Sequence, residues 1–181
     1  MLIERNRSCL LVVDIQDRLL PAIHEGERVI ENTAWLMRIA QDLGVPLLVS
    51  EQYPRGLGHT VPALRELVED QHVVEKIHFS CAASPECQER LQGLDRSQVL
   101  LVGVEAHVCV LQTALGLVSQ GNEVFVVADG VSSRRPSDAE AGLNRMRAAG
   151  AQVVTREMVA FEWLHRAGTD EFREISRRFL R

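Results

Sequence analysis

The sequence predicts an α/β fold: a three-layer, doubly wound parallel sheet of six strands, order 3-2-1-4-5-6, with helices on both faces. Two observations carry the prediction. Strand-like and helix-like segments alternate six times along the chain. Most strand-like segments are unbroken apolar runs rather than alternating ones, the pattern of strands buried on both faces. No internal repeat, low-complexity tract or linker divides the 181 residues, so residues 1–181 read as one domain, long enough for a sizeable core.

The elements follow in order. Cys9 to Val13, CLLVV, is a buried first strand with Asp14 at its carboxyl end. Ile15 to Gly26 reads as a loop or short helix around Pro21. From Glu27, apolar residues at helical spacing (Val29, Ile30, Ala34, Leu36, Met37, Ile39, Ala40, Leu43) mark a helix that Gly44 ends. Val45 to Val49 is a second strand. SEQYPRGLGHTVP, rich in Gly and Pro, reads as a loop, and its length points to function. Leu64 to Val68 is a short helix, and Val73-Val74 a short third strand before Glu75 and Lys76. Ser84-Pro85-Glu86 has the composition of a helix cap and first turn, with the helix running to about Leu94.

Val99 to Val104 is the fourth strand, interrupted only by Gly103, and a helix to Gly121 follows it. Cys109 falls in the first turn of that helix, where unpaired N–H groups and the positive end of the dipole favour a thiolate. Taken alone, Cys109 reads first as a small buried hydrophobe. Glu123 to Ala128 is the fifth strand. Ser137-Asp138-Ala139-Glu140 has capping-box spacing and opens a helix to Gly150. Ala151 to Thr155 is the sixth strand, and two amphipathic segments, Met158 to His165 and Glu171 to Leu180, close the chain.

Composition excludes several classes. A net charge of −5 gives no electrostatic reason to expect nucleic acid or an anionic membrane. No apolar run approaches the roughly 20 residues of a spanning helix, and MLIERNRS has no signal-peptide core. The four cysteines (Cys9, Cys81, Cys87, Cys109) form no C-x-x-C pair. A cytoplasmic protein with reduced thiols is expected.

In doubly wound sheets, ligands bind beyond the carboxyl ends of the strands, where strand order reverses. Here that point lies between strands one and four. Asp14 ends the first strand, Cys109 follows the fourth and Lys76 the third, so three chemically capable residues share one edge. A carboxylate accepts the thiol proton, an ammonium orients and balances the carboxylate, and the turn before Cys109 aims N–H groups at an oxyanion. These parts suit acyl transfer from a carbonyl carbon to sulfur and then to water. Each residue also has an ordinary alternative: a turn aspartate, a solvated lysine, a space-filling cysteine. Rival chemistries lack their marks. No glycine fingerprint follows the first strand, Asp14 and Asp17 lack the D-x-D spacing of aspartyl phosphatases, and no G-x-S-x-G occurs. A catalytically silent, oligomeric interaction protein on the same fold is the alternative function.

VVDIQDRLLP, EKIHFSC and GVEAHVCV resemble the isochorismatase-like cysteine hydrolases over roughly Leu10 to Val159, and SEQYPRGLGHTVPAL resembles their small isochorismatase-domain branch. The resemblance implies a hydrolase of small, non-peptide C–N bonds, with Asp14 as general base and acid, Lys76 as its partner and Cys109 as nucleophile. It implies a cis peptide at Val104–Glu105 and an oxyanion hole from the backbone N–H groups of Glu105 and Cys109. Tyr53, Phe79 and His107 are candidates to line the substrate pocket. Glu51-Gln52-Tyr53 stand where nicotinamidases of the family carry an Asp-x-His metal motif; with His59 they are too few for zinc, so no metal and no other cofactor is expected. The expected partners are a small-molecule substrate and further copies of the chain, with neither nucleic acid nor membrane.

Overall fold

The computed structural model describes residues 1–180. Six strands form one all-parallel sheet in the order β3-β2-β1-β4-β5-β6: β1 Ser8–Val13, β2 Leu47–Gln52, β3 Val73–Lys76, β4 Gln98–Val104, β5 Glu123–Ser132 and β6 Gln152–Val154. Helices α1 (Gly26–Asp42), α2 (Pro54–Leu57), α3 (Pro62–Arg65), α4 (Pro85–Gly93), α5 (Leu111–Ser119), α6 (Pro136–Ala148), α7 (Arg156–Leu164) and α8 (Asp170–Phe179) connect and cover the strands.

Side-chain alternation divides the core between the two sheet faces. Leu10, Val12, Val49, Leu100 and Val102 meet α1, α7 and α8 on one face. Leu11, Val13, Leu48, Val74 and Leu101 meet α4 and α5 on the other, together with Cys109. Packing within the chain accounts for α7: Val159, Ala160, Trp163 and Leu164 are buried, and the Trp163 indole donates to Ser8 Oγ at 2.8 Å.

Several boundaries move. β2 begins two residues later than the apolar run and continues through Ser50, Glu51 and Gln52, residues that read as loop. β5 passes through Asp129-Gly130 to Ser132. SEQYPRGLGHTVP holds the end of β2 and the short helix α2, and its last residue, Pro62, begins α3. The capping box does not form: α6 starts at Pro136 after Arg135, with no side-chain cap. Proline at the first helical position supplies the preset φ there and needs no N–H acceptor. Ser84 precedes α4 but its hydroxyl turns to Glu86 Oε2 instead of a backbone N–H.

Gly103 interrupts β4 for a steric reason. Its φ is +122°, the β4–β5 register shifts beside it, and a Cβ there would lie 2.0 Å from the Val13 carbonyl oxygen. Gly103→Ala is therefore expected to destabilise the protein by at least about 2 kcal/mol, since both backbone strain and a backbone clash result. Urea denaturation of the variant measures this; a loss under about 0.5 kcal/mol, the range of ordinary surface changes, would contradict the clash.

Candidate active site

The site is assembled from neighbouring strand ends. In β2, residues 48, 50 and 52 point to one face, that of Leu48; in β3, Lys76 points to the same face as Val74. Since β2 lies between β1 and β3, Ser50 and Gln52 lie between Asp14 and Lys76. Asp14 follows β1 in a left-handed conformation, φ 53°, which a short polar side chain tolerates. Its N–H bonds to Ser50 O at 3.1 Å, which fixes the turn.

Asp14 and Lys76 form a buried ion pair, Nζ to Oδ2 at 2.7 Å, with both side chains wholly inaccessible. Ser50 Oγ donates to Asp14 Oδ1 at 2.7 Å. Lys76 Nζ also donates to Gln52 Oε1 at 2.7 Å and to the Phe79 carbonyl at 3.2 Å, so its three hydrogens all have acceptors. Gln52 is itself held: its Nε2 donates to Ile77 O, Gln16 Oε1 accepts from its backbone N–H, and Gln16 Nε2 donates to its carbonyl. A buried pair satisfied in this way meets the condition under which two interior charges persist.

The Cys109 thiol lies beside the Asp14 carboxyl, near enough that each shifts the other's proton affinity. Cys109 lies in a π-helical turn, Ala106–Val110, leading into α5, and is almost fully buried. The structure reverses the expectation of a thiolate. Burial pushes the thiol pKa up, and the Asp14 carboxylate pushes it further, against the opposing pull of Lys76. Partial charges at a helix start are too weak to offset burial together with a neighbouring carboxyl. Asp14 is also shifted upward: burial outweighs the lowering effects of Lys76, Ser50 and Cys109. For Lys76, burial favours the neutral amine, but attraction to Asp14 and to the nearby cysteines prevails and keeps the ammonium charged. The site therefore brings a thiol, a carboxyl and an ammonium together.

The Val104–Glu105 peptide is cis. Among the described residues the Glu105 N–H makes no hydrogen bond to protein. The Glu105 carboxylate is buried and takes two bonds at Oε2, from Arg134 N and Arg134 Nε, each 3.0 Å. His107 Nδ1 is 2.9 Å from Ser133 Oγ, so the segment directly after β5 holds the turn that carries Cys109. Tyr53 and Phe79 are both about half exposed, so Phe79 is not a core aromatic. Tyr53 lines a groove of about 700 Å³ with Pro54, Arg55, Ile77, His78 and Pro85. Lys76 also lines that groove, whereas Phe79, His107 and Cys109 do not.

Glu51 points to the opposite face of β2. Its Oε1 accepts from Thr60 N and Thr60 Oγ1, both 2.7 Å, and its Oε2 pairs with His59 Nδ1 at 2.8 Å. Although burial opposes it, these bonds hold the Glu51 carboxyl below its ordinary pKa range, and Glu51 raises that of His59 in turn. Among the described residues no group of three His, Cys, Asp or Glu side chains is placed to hold a metal ion, and no helix is long and apolar enough to cross a membrane.

Ser50, Gln52, Gln16 and Arg134 were not legible as site residues. Their signal is faint: a polar run, Ser-Glu-Gln, directly continuing an apolar strand. A stronger signal lies in the composition. Lys76 is the only lysine in the chain; every other basic residue in the Lys+Arg count of 20 is arginine.

A profile of the isochorismatase domain matches residues 8–158. The chain is 37% identical over 171 residues to isochorismatase domain-containing protein 2A of Mus musculus, covering 94% of this chain and 81% of that protein. The chain belongs to the isochorismatase family. Another family relative, the secreted isochorismatase effector Isc1 of Phytophthora sojae, is 37% identical over 175 residues, covering 94% of this chain and 83% of that one. Among solved structures, that of MAR1 ribonuclease from Caenorhabditis elegans superposes with a TM-score of 0.92 at 35% identity, covering 100% of this chain and 93% of that chain. The isochorismatase fold is thus shared with relatives whose names denote different activities and locations.

Proposed function

We propose that this isochorismatase-family protein is a cysteine hydrolase that cleaves a small, amide-like C–N bond through a thioester on Cys109. The observation that carries the reading is the placement of Asp14, which pairs with the Lys76 ammonium at 2.7 Å and lies beside the Cys109 thiol in one buried cluster. In the proposed cycle Asp14 accepts the thiol proton as sulfur attacks the carbonyl carbon. The backbone N–H groups of Glu105 and Cys109 receive the oxyanion. As the C–N bond breaks, Asp14 returns its proton to the leaving nitrogen, and the acyl group remains on sulfur. Asp14 then takes a proton from water while hydroxide adds to the thioester; the C–S bond breaks and sulfur recovers the proton. Lys76 keeps Asp14 ionised between steps and has no hydrogen left for the substrate. A cytoplasmic protein acting on a small molecule, as a single domain, completes the reading.

The raised thiol fits this cycle, because the proton moves only as the new C–S bond forms. The name of the Caenorhabditis elegans neighbour raises RNA cleavage as the competing activity. One experiment separates them. The purified protein is given 4-nitrophenyl acetate, a panel of small carboxamides and ureido acids, and single-stranded RNA. Acetylation of Cys109 by mass spectrometry, carboxamide turnover and loss of both in Cys109→Ala are expected. RNA cleavage that survives Cys109→Ala, with no acyl-enzyme formed, would overturn the reading.

A further inference from the structure

We infer that Ser50 and Gln52 are positioning residues of the reaction, which together set the proton affinity of Asp14 by fixing one partner on each of its carboxylate oxygens. The inference rests on the proposed role of Asp14 as the base. Ser50 acts directly, donating to Oδ1 at 2.7 Å from a fully buried position. Gln52 acts through Lys76: its Oε1 accepts from Nζ at 2.7 Å and aims the ammonium at Oδ2.

The orientation of the Gln52 amide is settled by its neighbours. Nε2 donates to the Ile77 carbonyl at 2.9 Å, so Oε1 is the atom that faces the ammonium, as a donor there would repel it. The backbone of Gln52 is clamped on both sides by the Gln16 amide, at 2.8 and 3.0 Å. The same Gln16 Nε2 reaches Gly58 O at 2.6 Å, so the loop after β1, the end of β2 and the segment after α2 hold one another. Lys76 therefore approaches Asp14 from a rigid seat.

A neutral acceptor at residue 52 matters because Lys76 is the cation that offsets the buried Asp14. Glutamate, nearly the same size, would bring a second carboxylate to the same ammonium and weaken its pull on Asp14. Removing the Ser50 hydroxyl would withdraw a bond that favours the charged form. Both changes raise the proton affinity of Asp14 without emptying the site.

The test follows the rate of Cys109 alkylation by iodoacetamide against pH, by peptide mass spectrometry. Two coupled ionisations are expected in the wild type, the lower governed by Asp14. In Ser50→Ala and in Gln52→Glu the lower step is expected to move up by about one pH unit. In Asp14→Asn it disappears. If both variants keep the wild-type lower step, the inference is overturned while the role of Asp14 stands; a shift in one variant alone overturns the assignment of the other residue. A single ionisation in the wild type that Asp14→Asn leaves unmoved would overturn the base assignment and the inference with it.

Discussion

Asp14→Asn is expected to lower carboxamide turnover by about 10³-fold, within the range for loss of a general acid–base group. The loss on 4-nitrophenyl acetate should be at least tenfold smaller. Both substrates need Asp14 to take the thiol proton, but an amide nitrogen must be protonated to leave, whereas 4-nitrophenolate leaves unaided. Comparing kcat/KM for the two substrates thus separates the base step from the acid step. Equal losses would mean that Asp14 acts only on the thiol. Full activity on both would remove Asp14 from the chemistry.

Lys76→Met is expected to produce the largest loss of stability. It leaves the Asp14 carboxyl fully buried with no cation, a change that costs about 3–5 kcal/mol when one member of a buried pair is removed. The pH dependence has a definite sign. Burial already raises Asp14 in the folded wild type, and without Lys76 the folded value rises further above the unfolded one. The folded variant then holds a proton that the unfolded chain releases. Its stability is intact below the unfolded pKa, about 3.9, and falls by about 1.4 kcal/mol per pH unit above it, until the folded pKa is passed. Unfolding midpoints of wild type and Lys76→Met should therefore converge near pH 4 and diverge toward pH 7. A gap independent of pH would mean that the methionine merely packs badly.

Much of this architecture was readable from the chain. Asp14, Lys76 and Cys109 at or after strand ends follow from apolar runs whose burial needs no long-range knowledge, and the strand order is the ordinary one for a doubly wound parallel sheet. What escaped reading were polar groups that are buried because a distant group satisfies them. Ser50, Glu51 and Gln52 look like loop after Val49, yet each is a strand residue whose side chain finds Asp14, Thr60 or Lys76 across the fold. Periodicity carries no information about such partners. The ionisation of Cys109 escapes a local rule for a related reason: a helix start favours a thiolate, while burial and a carboxyl 95 positions earlier in sequence oppose it.

The solitary Lys76 has one more consequence. Because the chain's sole side-chain amine is sealed inside the site, the folded exterior presents no lysine to acylating reagents, aldehydes or amine-directed cross-linkers, and carries its positive charge on guanidinium groups instead. Succinimidyl-ester modification of residue 76 then works as a clock for opening of the fold: silent in the native protein, and advancing only as fast as the sheet edge around β2 and β3 comes apart.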